Sequence, residues 1–129
     1  MTEGQKAKVV RVADLVLIDR KVTRNGGSLR YLEGARYGLA TSIYRSEVAP
    51  GSGSLTHSHP YTEYFIVHEG QGRYVVGDEE FDAQPGDVII VPPGARHSFT
   101  NVGTGALRLT AIHEAPAHQM TRHRDADDI

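Results

Sequence analysis

A chain of 129 residues is sized for one domain and is too short for two barrels. Its formal charge is −2 with histidine neutral, its acidic and basic side chains are interspersed, and it has no cysteine. Those features exclude an electrostatic footprint for nucleic acid, a disulfide framework and a thiolate metal site. The first residues, MTEGQKAKVV, hold no apolar stretch of signal-peptide length, and no apolar run reaches membrane-spanning length. A soluble, cytoplasmic protein with neither membrane nor nucleic-acid partners is expected.

Fourteen glycines and six prolines spread along the chain suit many short strands joined by turns, an all-β signature. Residues 1–20 are expected as an arm or strand of the same domain, with weak alternation over Val9–Ile18. The body follows over 21–115, and 116–129 is a polar tail. Within the body, RNGGS from Arg24 to Ser28 is a turn, Leu29–Leu32 and Tyr37–Val48 are strands, and Gly51–Ser54 is a flexible loop after Pro50. EYFIVH, Glu63–His68, is strongly β-forming. Gly72–Val76 and Glu80–Phe81 flank a Gly77-Asp78 turn as a hairpin, and the unbroken β-branched run Val88–Val91 reads as a buried strand. Pro92–Gly94 turns the chain, His97–Val102 runs back, and Leu107–His113 closes the body.

Three histidines and a glutamate carry the chemistry. His57 and His59 lie two apart in GSGSLTHSHPYTEYFIVHEG, with Glu63 four further on, and His97 follows in GDVIIVPPGARHSFTN. Side chains alternate faces along a strand, so His57 and His59 point the same way with Cα atoms roughly 6.5 Å apart, close enough to share one ion. On a continuous strand Glu63 would sit about 13 Å beyond His59, so the chain must turn between them, and Pro60 stands where a bend is needed. His97 must then come from a neighbouring strand. Imidazole suits Zn, Cu, Fe and Ni, and carboxylate extends the range toward Mn.

The spacing around these residues resembles the cupin superfamily. Gly51, His57, His59, Glu63 and Gly70 match its first motif position by position, and Gly86, Pro92, Gly94, His97 and Asn101 match its second. Gln71–Pro85 separate the two, a short linker with no room for an inserted domain. The resemblance implies a small double-stranded β-helix, a jelly-roll barrel that is usually a homodimer. It further implies one divalent transition metal ion (Fe, Mn, Zn, Ni, Co or Cu) held by His57, His59, Glu63 and His97. The competing reading is architectural: the glycines serve turns, Pro92 a rigid corner, and the histidines are satisfied by one another and by water. Asn101 is read as a structural hydrogen-bonding residue at a strand end.

A fold does not fix a reaction. A metal-dependent enzyme acting on a small organic molecule, of dioxygenase, isomerase or cyclase type, is the favoured reading, and a non-catalytic small-molecule-binding or sensing protein is the alternative. Glu63 is the one catalytic candidate, either as a metal ligand or, unliganded, as a base beside an open coordination position. Counting from Glu63 puts Phe65 and Val67 inside and Tyr64, Ile66 and His68 outside, and counting from His97 puts Phe99 inside. Phe65 and Phe99 are candidates for an apolar pocket wall, with core packing as the plainer role. Tyr31 and Tyr44 are polar candidates near the mouth, as is Arg45. The apolar outer pair Tyr64 and Ile66 needs a cover, either the arm or a second subunit. His68 and His113 are read as hydrogen-bonded structural residues. His118 and His123 are read as solvated unless the tail folds over the mouth.

Overall fold

The computed structural model describes residues 6–17, 23–24 and 27–123. In chain order the strands are β1 (Val16–Leu17), β2 (Thr23–Arg24), β3 (Gly27–Leu32), β4 (Ser42–Val48), β5 (Gly53–Ser54), β6 (His57–Ser58) and β7 (Glu63–Glu69). They continue as β8 (Gly72–Val76), β9 (Glu79–Ala83), β10 (Val88–Val91), β11 (His97–Asn101), β12 (Leu107–His113) and β13 (Thr121–Arg122). One antiparallel sheet has the order β1-β3-β4-β12-β7-β10. In the other, β11 carries β8 and then β9 on one side, while β6 and β5 succeed each other along its opposite side and pair outward with β13 and β2. This is the all-β jelly roll that the sequence pattern anticipates.

Alternation sets which side chains meet between the sheets. On β7, Glu63, Phe65 and Val67 are buried while Tyr64 and Ile66 are half-buried on the outer face. On β12 the inward set is Leu107, Leu109, Ala111 and His113. Cross-strand register turns these sets into rows: Leu107 opposite Val48, Ala111 between Tyr44 and Phe65, and His113 between Ser42 and Glu63. The interior therefore grades from mainly apolar at one end to polar at the other. Ala111 is a small residue between two large aromatic ones, which leaves space beside the polar end.

Several elements differ from their sequence expectation. The strand expected over Tyr37–Val48 begins only at Ser42, because Gly34–Tyr37 forms a 3₁₀ turn held by the Gly34 amide donating to Ser42 Oγ at 3.0 Å. Val88–Val91 is a strand, but Val88 and Ile90 are 54% and 61% exposed: β10 is the edge of its sheet, and only Ile89 and Val91 face the core. Gly51–Ser54 is no flexible loop, since β5 pairs with β11 and Ser52, Gly53 and Ser54 are buried. Among the arm's described residues, Val12–Asp14 is a 3₁₀ turn and only Val16–Leu17 pairs, with β3. That is the far edge from β10, so the described arm leaves Tyr64 and Ile66 uncovered. Ile18, Asn25 and Gly26 lie outside the described residues. Among those residues no helix is long and apolar enough to cross a membrane.

At Gly53, strands β5 and β11 press close together. A Cβ there would lie 1.8 Å from the Phe99 carbonyl oxygen, whereas one on Gly51, at φ +80°, would meet nothing within 4 Å. Gly53→Ala is expected to destabilise by about 3 kcal/mol, the upper range for forcing atoms into a packed interior. Gly51→Ala should lose only about 1 kcal/mol, for its left-handed backbone. Urea unfolding of both variants ranks them, and equal losses would refute the close approach.

Candidate metal centre

Two sheets contribute to one cluster. His57 on β6 and His97 on β11 are direct cross-strand partners with ring centroids 4.3 Å apart. Strand β6 stops at Ser58, and residues 59–62, with Pro60 among them, carry the chain into the facing sheet, where Glu63 opens β7. His59 sits at this crossing, its carbonyl accepting from the Gly94 amide at 2.7 Å, so the Pro92–Gly94 corner pins one motif to the other. Glu63 Oε1 lies 2.9 Å from His97 Nε2 and 3.2 Å from His59 Nε2. One donor atom from each of His57, His59, Glu63 and His97 falls within 4.8 Å of the other three. The expected quartet is thus brought together and buried.

The second nitrogen of each ring shows why this cluster suits a cation. Nδ1 of His57 donates to the Leu55 carbonyl at 2.6 Å, Nδ1 of His59 to Gln119 at 2.5 Å, and Nδ1 of His97 to Ala95 at 3.0 Å. A neutral imidazole has one proton, and a carbonyl partner fixes it on Nδ1. Each Nε2 then presents a lone pair to the centre. His59 Nε2 is buried and makes no hydrogen bond. Three such lone pairs and a carboxylate oxygen repel one another unless a proton or a metal ion lies among them, and backbone-anchored imidazoles are the usual support of a metal ligand. The residues present fit a divalent transition ion.

A second histidine group, His59, His113 and His118, also lies within reach of one ion. Both nitrogens of His113 and one of His118 are otherwise engaged. His113 Nε2–H donates to Glu63 Oε2 at 2.9 Å and its Nδ1 accepts from the Tyr61 hydroxyl at 2.6 Å, while His118 Nδ1 accepts from Tyr44 at 2.5 Å. His113 thereby ties up one oxygen of Glu63 and leaves Oε1 aimed at the centre. Burial alone would raise the Glu63 pKa, but hydrogen bonding, with the His113 Nε2–H foremost, holds it well below the usual carboxylate range. The ligand candidate is therefore ionised. His57 is lowered from 6.5 to about 4, first by burial and then by the neighbouring His97, so it too is in its ligating form.

A small cavity of about 70 Å³, open to solvent at its mouth, adjoins the cluster. His57, His59, Glu63 and His113 form its polar floor, Leu29, Phe65, Phe99 and Leu109 its apolar wall, and Tyr44 and His118 a polar edge. Of the pocket candidates, Phe65, Phe99 and Tyr44 line this space. Tyr31 stands behind it, stacked on Tyr44 at 4.5 Å between centroids. Arg45 is exposed on the outer face, outside the site. His68 bonds Thr110 on the same outer face. Asn101 bridges the Val48 and Gly105 carbonyls, a structural role.

Sequence reasoning gave no site role to His113, read only as a hydrogen-bonded structural residue, or to Tyr61. The first was within reach, because alternation from Leu107 puts His113 inward beside Glu63. The tail takes the second of the two courses the sequence left open: it crosses the mouth, placing His118 and Met120 at the cavity and His123 against Ser58 at 2.8 Å.

A family model described as a cupin domain matches residues 44–113. A protein of Methanocaldococcus jannaschii is 31% identical over 109 residues, covering 78% of this chain and 83% of that protein. The polyketide synthase CurC of Streptomyces cyaneus is 34% identical over 113 residues, covering 82% of this chain and 70% of that protein. Among solved structures, Bacillus subtilis oxalate decarboxylase, a protein with Mn(II) centres, superposes with a TM-score of 0.78 at 21% identity over 95% of this chain. The present chain spans about a third of that longer protein, 35% of its length.

The depressed His57 pKa makes the metal-free fold acid-sensitive. Between pH 6.5 and about 4 the unfolded chain takes up the proton and the folded one does not. Stability from this group is therefore complete above pH 6.5 and is lost as pH falls, on the order of 3 kcal/mol in all. Below that window, protonation of Glu63 acts in the same direction. Urea unfolding of metal-free protein from pH 7 to 4.5 should show this decline, with a shallower slope in His57→Gln. A flat profile in the wild type would contradict the burial of a neutral ring.

Proposed function

The chain belongs to the cupin family, and from that premise we propose that it holds one divalent transition metal ion between its sheets and acts on a small organic molecule seated beside it. The observation that carries this reading is the convergence of three backbone-anchored imidazoles, each with Nε2 directed inward, on a carboxylate kept ionised. His57, His59, His97 and Glu63 would be the ligands. What the ion supplies when bound is Lewis acidity at its open coordination positions, and redox capacity if it is Fe, Mn, Co, Ni or Cu.

The protein's own residues shape the rest. Phe65, Phe99, Leu29 and Leu109 exclude water from one side of the cavity and accept an apolar body. The Tyr44 hydroxyl is kept protonated by burial and then by the neighbouring Tyr31, and with His118 it meets a polar substituent at the mouth. Tyr61, pushed up to about 12, holds its proton and orients His113, which in turn restrains Glu63. These walls suit a small, oxygen-bearing carbon skeleton, and the name of the polyketide synthase relative supports that class. The Mn(II) centres of oxalate decarboxylase support Mn as one candidate ion among six. Dioxygenase, isomerase and cyclase chemistry all fit such a site. A non-catalytic ligand-binding role is the competing reading, favoured by the way both phenols beside the cavity are already paired with histidines.

Metal analysis of protein purified without an affinity tag should find about one ion per chain, the capacity of a single closed donor set. His57→Ala and His97→Ala should abolish it. Saturation with the ion at a hundredfold excess over Kd should stabilise the wild type by about 3 kcal/mol. Loaded anaerobically with Fe(II), the protein is expected to consume oxygen with an enolic or phenolic substrate, or to convert it to an isomeric product seen by mass spectrometry. Ligand binding without turnover under any loading would sink the enzyme reading and leave the binding one.

A further inference from the structure

Residues 115–123 cross the cavity side of the donor cluster and are anchored at both ends. At the near end the Ala115 carbonyl accepts from Ser42 Oγ at 2.8 Å and the Pro116 carbonyl from the Ala35 amide at 2.8 Å. At the far end β13 pairs with β6, the strand of His57. There the His123 amide and Arg122 Nη1 both donate to the Thr56 carbonyl, at 2.9 and 2.8 Å. Between the anchors, the His118 amide donates to the Tyr31 hydroxyl at 2.9 Å, the Gln119 amide to the Tyr61 hydroxyl at 3.3 Å, and His59 Nδ1 to the Gln119 carbonyl at 2.5 Å. His118 and Gln119 are exposed on their outer side. A segment held mainly by such bonds, with little apolar burial, belongs to the part of a fold that opens most easily.

We propose that residues 115–123 are a lid whose closure is coupled to metal occupancy through the hydrogen bond between His59 and the Gln119 carbonyl. The inference rests on the metal reading above. An imidazole that gives its Nε2 lone pair to a cation becomes a stronger donor at Nδ1, so an ion on His59 tightens its hold on the lid. Conversely, the closed lid fixes the tautomer and orientation that His59 needs as a ligand. Coupling of this kind is reciprocal: whatever factor the ion adds to lid closure, closure adds to ion affinity. The lid also carries His118 and Met120 into the cavity wall, so a molecule bound beside the ion touches side chains that only the closed state supplies. Access and discharge then require the His59–Gln119 bond to break.

Hydrogen exchange of the full-length protein, followed by mass spectrometry with and without Zn²⁺, tests the coupling directly. Zn²⁺ should slow exchange over 115–123 by about tenfold, the low end of what an outer partner of a metal ligand contributes, with β12 unchanged. The double variant Arg122→Ala/His123→Ala removes the Thr56 and Ser58 side-chain anchors without touching a donor. It should bind Zn²⁺ about tenfold more weakly in chelator competition and keep a fast-exchanging lid. Zn²⁺ bound at a site that His57→Ala destroys, yet leaving exchange over 115–123 unaltered, would overturn the coupling alone. So would a double variant with wild-type affinity. If Zn²⁺ finds no site that His57→Ala removes, the metal reading falls and the coupling with it.

Discussion

Three imidazole rings whose Nδ1 protons are committed to main-chain carbonyls are the constraint on which this molecule turns. Once Leu55, Ala95 and Gln119 accept those protons, each Nε2 has only a lone pair to offer, and all three face the ionised Glu63. Such an arrangement is unfavourable when left to itself in a dry interior and favourable around a cation. The polar end of the barrel is therefore built against the ordinary preference for apolar cores, as a proposed cation site would require.

The rest of the fold serves to hold that end open. Val48, Val67, Leu107 and Leu109 fill the opposite end of the barrel, each almost wholly buried. Apolar packing there supplies the cooperativity that keeps the two sheets in register. The transition happens at Ala111, where a methyl group stands between Tyr44 and Phe65 and leaves room for a ligand. A larger residue at that point would join the core and close the cavity. His113, one step further along the same strand face, belongs to the polar end and disciplines Glu63.

Segments remote in sequence are joined at this cluster. Motif one supplies two rings and the carboxylate, motif two supplies the third ring, and the C-terminal segment supplies the carbonyl that orients His59. The tail is thus part of the site even though it lies beyond both motifs. Its polarity is what a strap exposed on one face and hydrogen-bonded on the other requires.

Much of this was legible in the residues alone. The spacing of His57, His59, Glu63 and His97, with glycine and proline at fixed offsets, pointed to a jelly roll in which these four side chains converge, because strand alternation and turn chemistry are local and periodic. Parity correctly placed Phe65, Val67 and Phe99 inside. Three things were decided only by tertiary structure: the exposure of Val88 and Ile90, the rigidity of the 51–54 segment, and the course of the tail. Each depends on which strand lies at an edge or which backbone passes nearby, and no local pattern encodes that. An isolated run of β-branched residues cannot say whether it will be covered on one face or two. Nor can APAHQM reveal that a histidine 60 residues away is waiting for its carbonyl, since that bond exists only after the sheets have closed.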